Sequence, residues 1–140
     1  MPQIRKSANV GDWIVGTGSK RNVGSEELIY AMEITEKVPF EKYANDERFA
    51  SKIPSKGIIE ERGDNIYYGN IDGAWIQRPS YHGKDKMARD LSGKYVLNSD
   101  HFFYFGRDVV AIPDEFHAII KKGPGHKSNN FQGKASPLLF

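Results

Sequence analysis

The run Gly11-Asp-Trp-Ile-Val-Gly-Thr-Gly-Ser-Lys-Arg21 constrains this chain most, because an apolar strand passes directly into a turn of small residues that ends in two cations. Glycines let backbone N–H groups come close to an anion, and the charges of Lys20 and Arg21 would favour one. Thr17, Gly18, Ser19, Lys20 and Arg21 therefore form a candidate phosphate cradle. The run lacks the last glycine of a dinucleotide fingerprint, and no Gly-Lys-Ser/Thr follows at the Walker spacing, so neither standard nucleotide motif is present. A strand that ends in a surface turn is the plain alternative.

A length of 140 residues suits one domain with a real core and is short for two. The expectation is a single α+β domain over residues 1–127 and a polar C-terminal tail over 128–140. With 39% apolar and 27% charged residues the composition is that of an ordinary soluble chain and not of a disordered one. No apolar run reaches the roughly 18 residues that span a bilayer, and the start, Met1-Pro-Gln-Ile-Arg-Lys, has no signal-peptide core. A cytoplasmic protein without a membrane partner is expected. The absence of cysteine removes disulfides, thiolate nucleophiles and the common structural zinc sites. A net charge of +2 is too small to draw in a duplex from a distance. Local charge carries more information. Arg5-Lys6, Lys20-Arg21, Lys121-Lys122 and His126-Lys127 lie near the two ends, and acidic residues gather around Glu60-Glu61 and Asp64. If the ends meet, one face is basic and suits a nucleotide or a short strand; solvated lysines on unrelated surfaces are the alternative.

Trp13-Ile-Val reads as a strand and Glu27-Leu-Ile-Tyr-Ala-Met-Glu-Ile-Thr35 as a second, joined by a hairpin-like connection. Over residues 39–49, Phe40, Tyr43 and Ala44 share a helical face and Pro39 suits a first turn, so a short helix is expected. A charged loop covers 53–63, and Asn65-Ile-Tyr-Tyr68 and Ala74-Trp-Ile-Gln77 are extended pieces around a glycine-bounded turn. Residues 78–93 have little apolar content and no clean period, which predicts a long exposed loop holding Tyr81, His82, Arg89 and Asp90. Tyr95-Val-Leu-Asn and His101-Phe-Phe-Tyr-Phe-Gly106 are further strands, the latter too apolar to face water on both sides. Residues 112–120 fit a short helix capped by Asp114 and stopped by Gly123, or a strand.

Tyr67, Tyr68, Trp75, Tyr81 and Tyr104 offer flat faces on which a base can stack, worth about 1–3 kcal/mol each. Phe102, Phe103 and Phe105 sit in an apolar run and are expected to pack in the core. Asp64 and Asn65 carry the acceptor and amide groups that read a base edge, or else cap a turn. The four histidines show no zinc spacing, and neither a metal nor a cofactor is expected. His82 could act as a general base oriented by Asp90, with Lys127 or Arg21 stabilising negative charge. His101 and His117 read as structural, and His126 with Lys127 as an anion contact.

In order along the chain stand Trp13-Ile-Val-Gly-Thr-Gly-Ser, Leu28-Ile-Tyr-Ala-Met with Thr35-Glu-Lys, Phe40 to Tyr43, Asn45-Asp-Glu-Arg-Phe49 and Gly63-Asp-Asn-Ile-Tyr-Tyr. Trp75-Ile-Gln with Ser80-Tyr-His82, Val96-Leu, Phe102-Phe-Tyr-Phe-Gly and Gly125-His-Lys follow. This succession resembles the nucleotide modification associated domain 2 family of bacteria and their phages. The resemblance implies a small α+β domain associated by gene neighbourhood with DNA base modification. Family members usually carry a strand and a loop before the segment matching 4–12, and often a His-Asp pair where this sequence has Arg89-Asp90. The strand, turn, strand and helix order is also similar to PUA, ASCH and EVE domains, which implies a mixed twisted sheet forming a PUA-like pseudo-barrel with one or two short helices. Three functions fit. The first is a binding module for a nucleotide or modified nucleic-acid base, with phosphate at Thr17 to Arg21 and at His126 and Lys127, and the base at Asp64, Asn65, Tyr67, Trp75, Tyr81 or Tyr104. The others are a small enzyme centred on His82 and Asp90, and a phage protein that sequesters a nucleotide signal in host defence, in which a homo-oligomer could share the pocket.

Overall fold

In the computed structural model, residues 2–19, 24–55, 63–80, 82–123 and 125–128 are described. They form an α+β fold of short elements: α1 (Pro2–Ser7), β1 (Trp13–Thr17), β2 (Glu27–Glu33), β3 (Glu36–Pro39), α2 (Phe40–Asn45), β4 (Tyr67–Gly69), β5 (Trp75–Gln77), α3 (Met87–Leu91), β6 (Tyr95–Asn98), β7 (His101–Tyr104) and β8 (Val110–Ala111). Three 3-10 segments, Glu47–Lys52, Lys84–Lys86 and Asp114–Ile119, complete the described elements. The chain divides into two compact units. Unit 1 takes Met1–Trp13 and Glu33–His101, and unit 2 takes Ile14–Met32 and Phe102–Phe140.

Unit 1 contains two antiparallel strand pairs. β3 pairs with β6 from Glu36 opposite Asn98 to Pro39 opposite Tyr95, and β4 pairs with β5 from Tyr67 opposite Gln77 to Gly69 opposite Trp75. The second pair is the glycine-bounded hairpin anticipated from sequence. Its turn is closed by the Ala74 N–H, which donates to the Asn70 side chain at 2.8 Å, and by the Gly73 N–H, which donates to the Asn70 carbonyl. The apolar spacing in α2 works as expected: Phe40, Tyr43 and Ala44 are all buried. Pro39 both ends β3 and stands as the N-cap of α2, positions its φ of −58° allows and where its missing N–H costs little. Phe40, Ile66 and Tyr67 form the core cluster, and Trp75, Met87, Leu91 and Val96 pack against it. Phe40 meets Tyr67 and Trp75 edge-on, with ring centroids 6.2 and 6.3 Å away, the arrangement that ring quadrupoles favour.

The expected long loop over 78–93 is corrected here. It contains a 3-10 turn that runs directly into α3. Met87 and Leu91, four residues apart, supply a narrow apolar edge that reaches the Phe40 cluster, and this burial outweighs the poor local period.

In unit 2 the hydrogen-bonded order of the four-stranded sheet is β1-β2-β7, and β8 also pairs with β2, placing Glu27 opposite Ala111 and Leu28 opposite Val110. Among the described residues the strand pairings do not close into a barrel. Gly16 is needed for packing. A Cβ there would come within 2.0 Å of the Tyr30 ring, so β1 admits no side chain where Tyr30 crosses it. Two expectations fail in this unit. β7 is exposed along its whole length, so Phe102 and Phe103 are surface rings and not core. Asp114 does not cap its helix: Pro113 occupies the cap position with no side-chain bond, and Asp114 is the first helical residue, 3.5 Å from His117. No helix among the described residues is long and apolar enough to cross a membrane.

Candidate functional site

The chemistry-bearing side chains of unit 1 converge on Asp90, in the last turn of α3. Its side chain is only 14% exposed, and its Oδ2 accepts the Tyr67 hydroxyl at 3.0 Å. The same oxygen lies 3.5 Å from Nδ1 of His82, whose side chain is 52% exposed. That separation is longer than a full hydrogen bond and becomes an ion pair only when the imidazole is protonated. With Nδ1 turned to the carboxylate, Nε2 is the nitrogen left for a ligand or a proton. His82 is held at its backbone as well: its carbonyl accepts from the Gln77 amide at 2.7 Å, and its N–H donates to the Ser80 hydroxyl at 3.3 Å.

Sequence reasoning counted Arg5 only within a basic pair, yet it belongs to this site. Its guanidinium donates to the Asp90 carbonyl at 2.8 Å, a favourable place for a cation at a helix C-terminus, and lies 5.1 Å from the Phe40 ring centre. Burial pulls the Arg5 guanidinium down from its ordinary value, opposed by the negative charges of Asp90 and Asp64. Its partner is 85 residues away, so no local pattern could have revealed the contact. Arg5 Nε and Gln77 Oε1 are both buried with no hydrogen-bond partner. Such atoms cost stability, and they flank the His82 and Asp90 pair. The Tyr67 hydroxyl is pushed up to about 12, first by burial and then by its bond to Asp90. Tyr67 therefore stays a neutral donor at ordinary pH and anchors the carboxylate that faces His82.

The candidate base-reading residues take different places. Asp64 is exposed and accepts the Tyr43 hydroxyl at 2.7 Å; burial and this carboxylate both raise the Tyr43 phenol. Asn65 is 2% exposed. Its amide donates to the carbonyls of Tyr43 and Phe49 while its oxygen accepts from Arg78, so the side chain ties α2 to the start of the β4 hairpin. Tyr67 is buried apart from its bond to Asp90, and Trp75 is half-buried on Phe40. Tyr81 lies outside the described residues, and Tyr104 is an exposed ring of unit 2.

The candidate phosphate residues fall in unit 2. Thr17 ends β1 half-buried, and the Gly18 N–H is committed to the Glu27 carbonyl at 2.8 Å. Ser19 is exposed and its carbonyl accepts from Gly24. Lys20 and Arg21 lie outside the described residues. Among the described residues, an open groove on this hairpin is lined by Gly24, Ser25, Glu26 and Glu27. His126 is half-buried, and the Lys127 ammonium donates to the Ala118 carbonyl. His101 pairs with Glu33 at 2.9 Å and His117 bonds the Ile112 carbonyl at 2.8 Å, so both have structural partners. Among the described residues no group of three or more His, Asp or Glu is placed to hold a metal ion.

A family model described as nucleotide modification associated domain 2 matches residues 1–139. The chain belongs to this nucleotide modification associated domain family. No match was found among curated proteins or among solved structures. Within the family assignment, the Asp90 centre is where this chain concentrates its titratable and cationic groups. Arg89 stands beside it, with Nε 4.0 Å from Asp90 Oδ1, so the imidazole at this carboxylate comes from His82 and not from position 89.

Proposed function

We propose that the chain is a binding module for a nucleotide or a modified nucleic-acid base, acting in DNA modification in the cytoplasm of a bacterial or phage-infected cell, with the ligand received at His82 and Asp90. The observation that carries this reading is the exposed imidazole set against a mostly buried carboxylate that Tyr67 and α3 hold in place. An imidazole nitrogen donates to or accepts from a base edge according to its protonation, and Arg5 supplies a nearby positive field. Membership in a family named for nucleotide modification supports the same ligand class.

A thermal-shift screen against mono-, cyclic and oligonucleotides, with plain and modified bases, tests the proposal. A ligand at 100 times its dissociation constant raises stability by about 2.7 kcal/mol, and His82→Ala should abolish that gain without lowering the midpoint of the free protein. No shift with any nucleotide would reject the reading.

The contact between His82 Nδ1 and Asp90 also favours a second reading, in which the site is a small enzyme with Nε2 as general base. Under that reading His82→Ala loses turnover of a nucleotide substrate while keeping its affinity; under the first, it loses affinity and no turnover is found.

A further inference from the structure

On β7 of unit 2, Phe102 is 61% and Tyr104 73% exposed. The two residues alternate along one strand, so both rings stand on the same face about 7 Å apart. The strand is not a frayed end: the Phe105 N–H just beyond it donates to the Ile29 carbonyl of β2 at 2.9 Å, and the Asp108 N–H closes the following turn on the Phe105 carbonyl at 2.9 Å. The Tyr104 ring lies across Gly106, whose φ of 62° sets the turn and where a Cβ would come within 3.2 Å of the ring. The exposed Arg107 follows at the tip of that turn.

We propose that this face of β7 is a stacking platform for single-stranded nucleic acid, with Phe102 and Tyr104 each taking one base and Arg107 neutralising the phosphate between or beside them. The exposed groups of this face of β7 are flat rings, and every base offers a face to such a ring whatever its sequence. The adjacent guanidinium supplies the charge complement that a polyanion needs and that an apolar protein partner would leave unpaired. This proposal does not rest on the reading of His82 and Asp90 and stands or falls without it.

The test is fluorescence anisotropy of labelled ten-residue oligothymidine and oligouridine with the full chain, its Phe102→Ala, Tyr104→Ala and Arg107→Gln variants, and the double ring variant. Circular dichroism confirms that each remains folded. The wild type should bind one or both strands, more weakly as salt rises, and each ring removal should weaken binding about fivefold or more. Tyr104→Phe should retain most of the affinity, and Tyr104→Trp should bind with quenching of the new indole. Binding unchanged in the double ring variant, or no binding of either oligonucleotide, would overturn the proposal. So would a wild-type dimer in sedimentation that dissociates when both rings are removed, since the face would then be an interface between copies.

Discussion

Phe40 in unit 1 and Phe102 in unit 2 are the same side chain on short elements, yet the first is 7% exposed between Tyr67 and Trp75 while the second is 61% exposed on β7. The contrast extends to their surroundings. In unit 1 a helix and two strand pairs contribute Ile34, Val38, Phe40, Tyr43, Ala44, Ile66 and Tyr67 to the buried set, whereas in unit 2 Ile112 is the buried apolar side chain among the described residues. Apolar content alone did not decide burial. What differs is a second layer: α2 packs on β3, β4 and β6, and α1 and α3 add their edges, while β7 and β8 remain exposed along their lengths. Unit 1 accordingly has a rigid base on which to set Asp90 and His82, and unit 2 offers rings to a partner.

The strongest test of this contrast is a pair of substitutions. Phe40→Ala should destabilise the protein by about 3–5 kcal/mol in urea unfolding, because it empties the centre of the core cluster. Phe102→Ala should change stability by no more than about 0.5 kcal/mol. Equal losses at the two positions would erase the distinction between the units.

Next in size is Tyr67→Phe, which leaves the Asp90 carboxylate without its hydroxyl donor and should cost about 1.5–3 kcal/mol. The raised pKa of Tyr67 gives the same bond a pH signature. The folded state holds this proton more tightly than the unfolded chain does, so the stabilisation is complete below about pH 10 and is lost as pH rises toward about 12. Unfolding midpoints measured across that range should fall more steeply in the wild type than in Tyr67→Phe. Parallel curves would remove Tyr67 from the account. The smallest effect is expected at Arg48, whose bonds to Glu36 and Asp46 lie on the surface; Arg48→Gln should leave the midpoint nearly unmoved at physiological salt.

The elements legible in the sequence were those with a strong period or punctuation. β1, β2, β6 and the β4 and β5 hairpin carry β-branched and aromatic residues between glycines, and α2 shows its buried face at Phe40, Tyr43 and Ala44. α1 was invisible because it buries no residue, and α3 because its apolar edge is two residues wide. β3 is hidden by Pro39, which reads as a helix start and here both ends the strand and caps α2. His82 and Asp90 belong to one short polar segment of the sequence, and the structure sets Nδ1 and Oδ2 3.5 Å apart. Arg5 and Tyr67 join them across 85 and 23 residues of sequence, which no local window contains, while Gln77 bonds His82 from five residues away. The outward face of β7 is not legible, because an apolar run implies a covering layer that this strand lacks.

The account depends most on His82 being the group that meets a nucleotide, and the Cε1–H resonances of the four histidines report on this directly. During titration with plain and modified mononucleotides, the His82 resonance should shift saturably while that of His117, bonded to the Ile112 carbonyl, stays fixed; Asp90→Asn should weaken the effect. A His82 resonance that no nucleotide moves in the folded protein would contradict it.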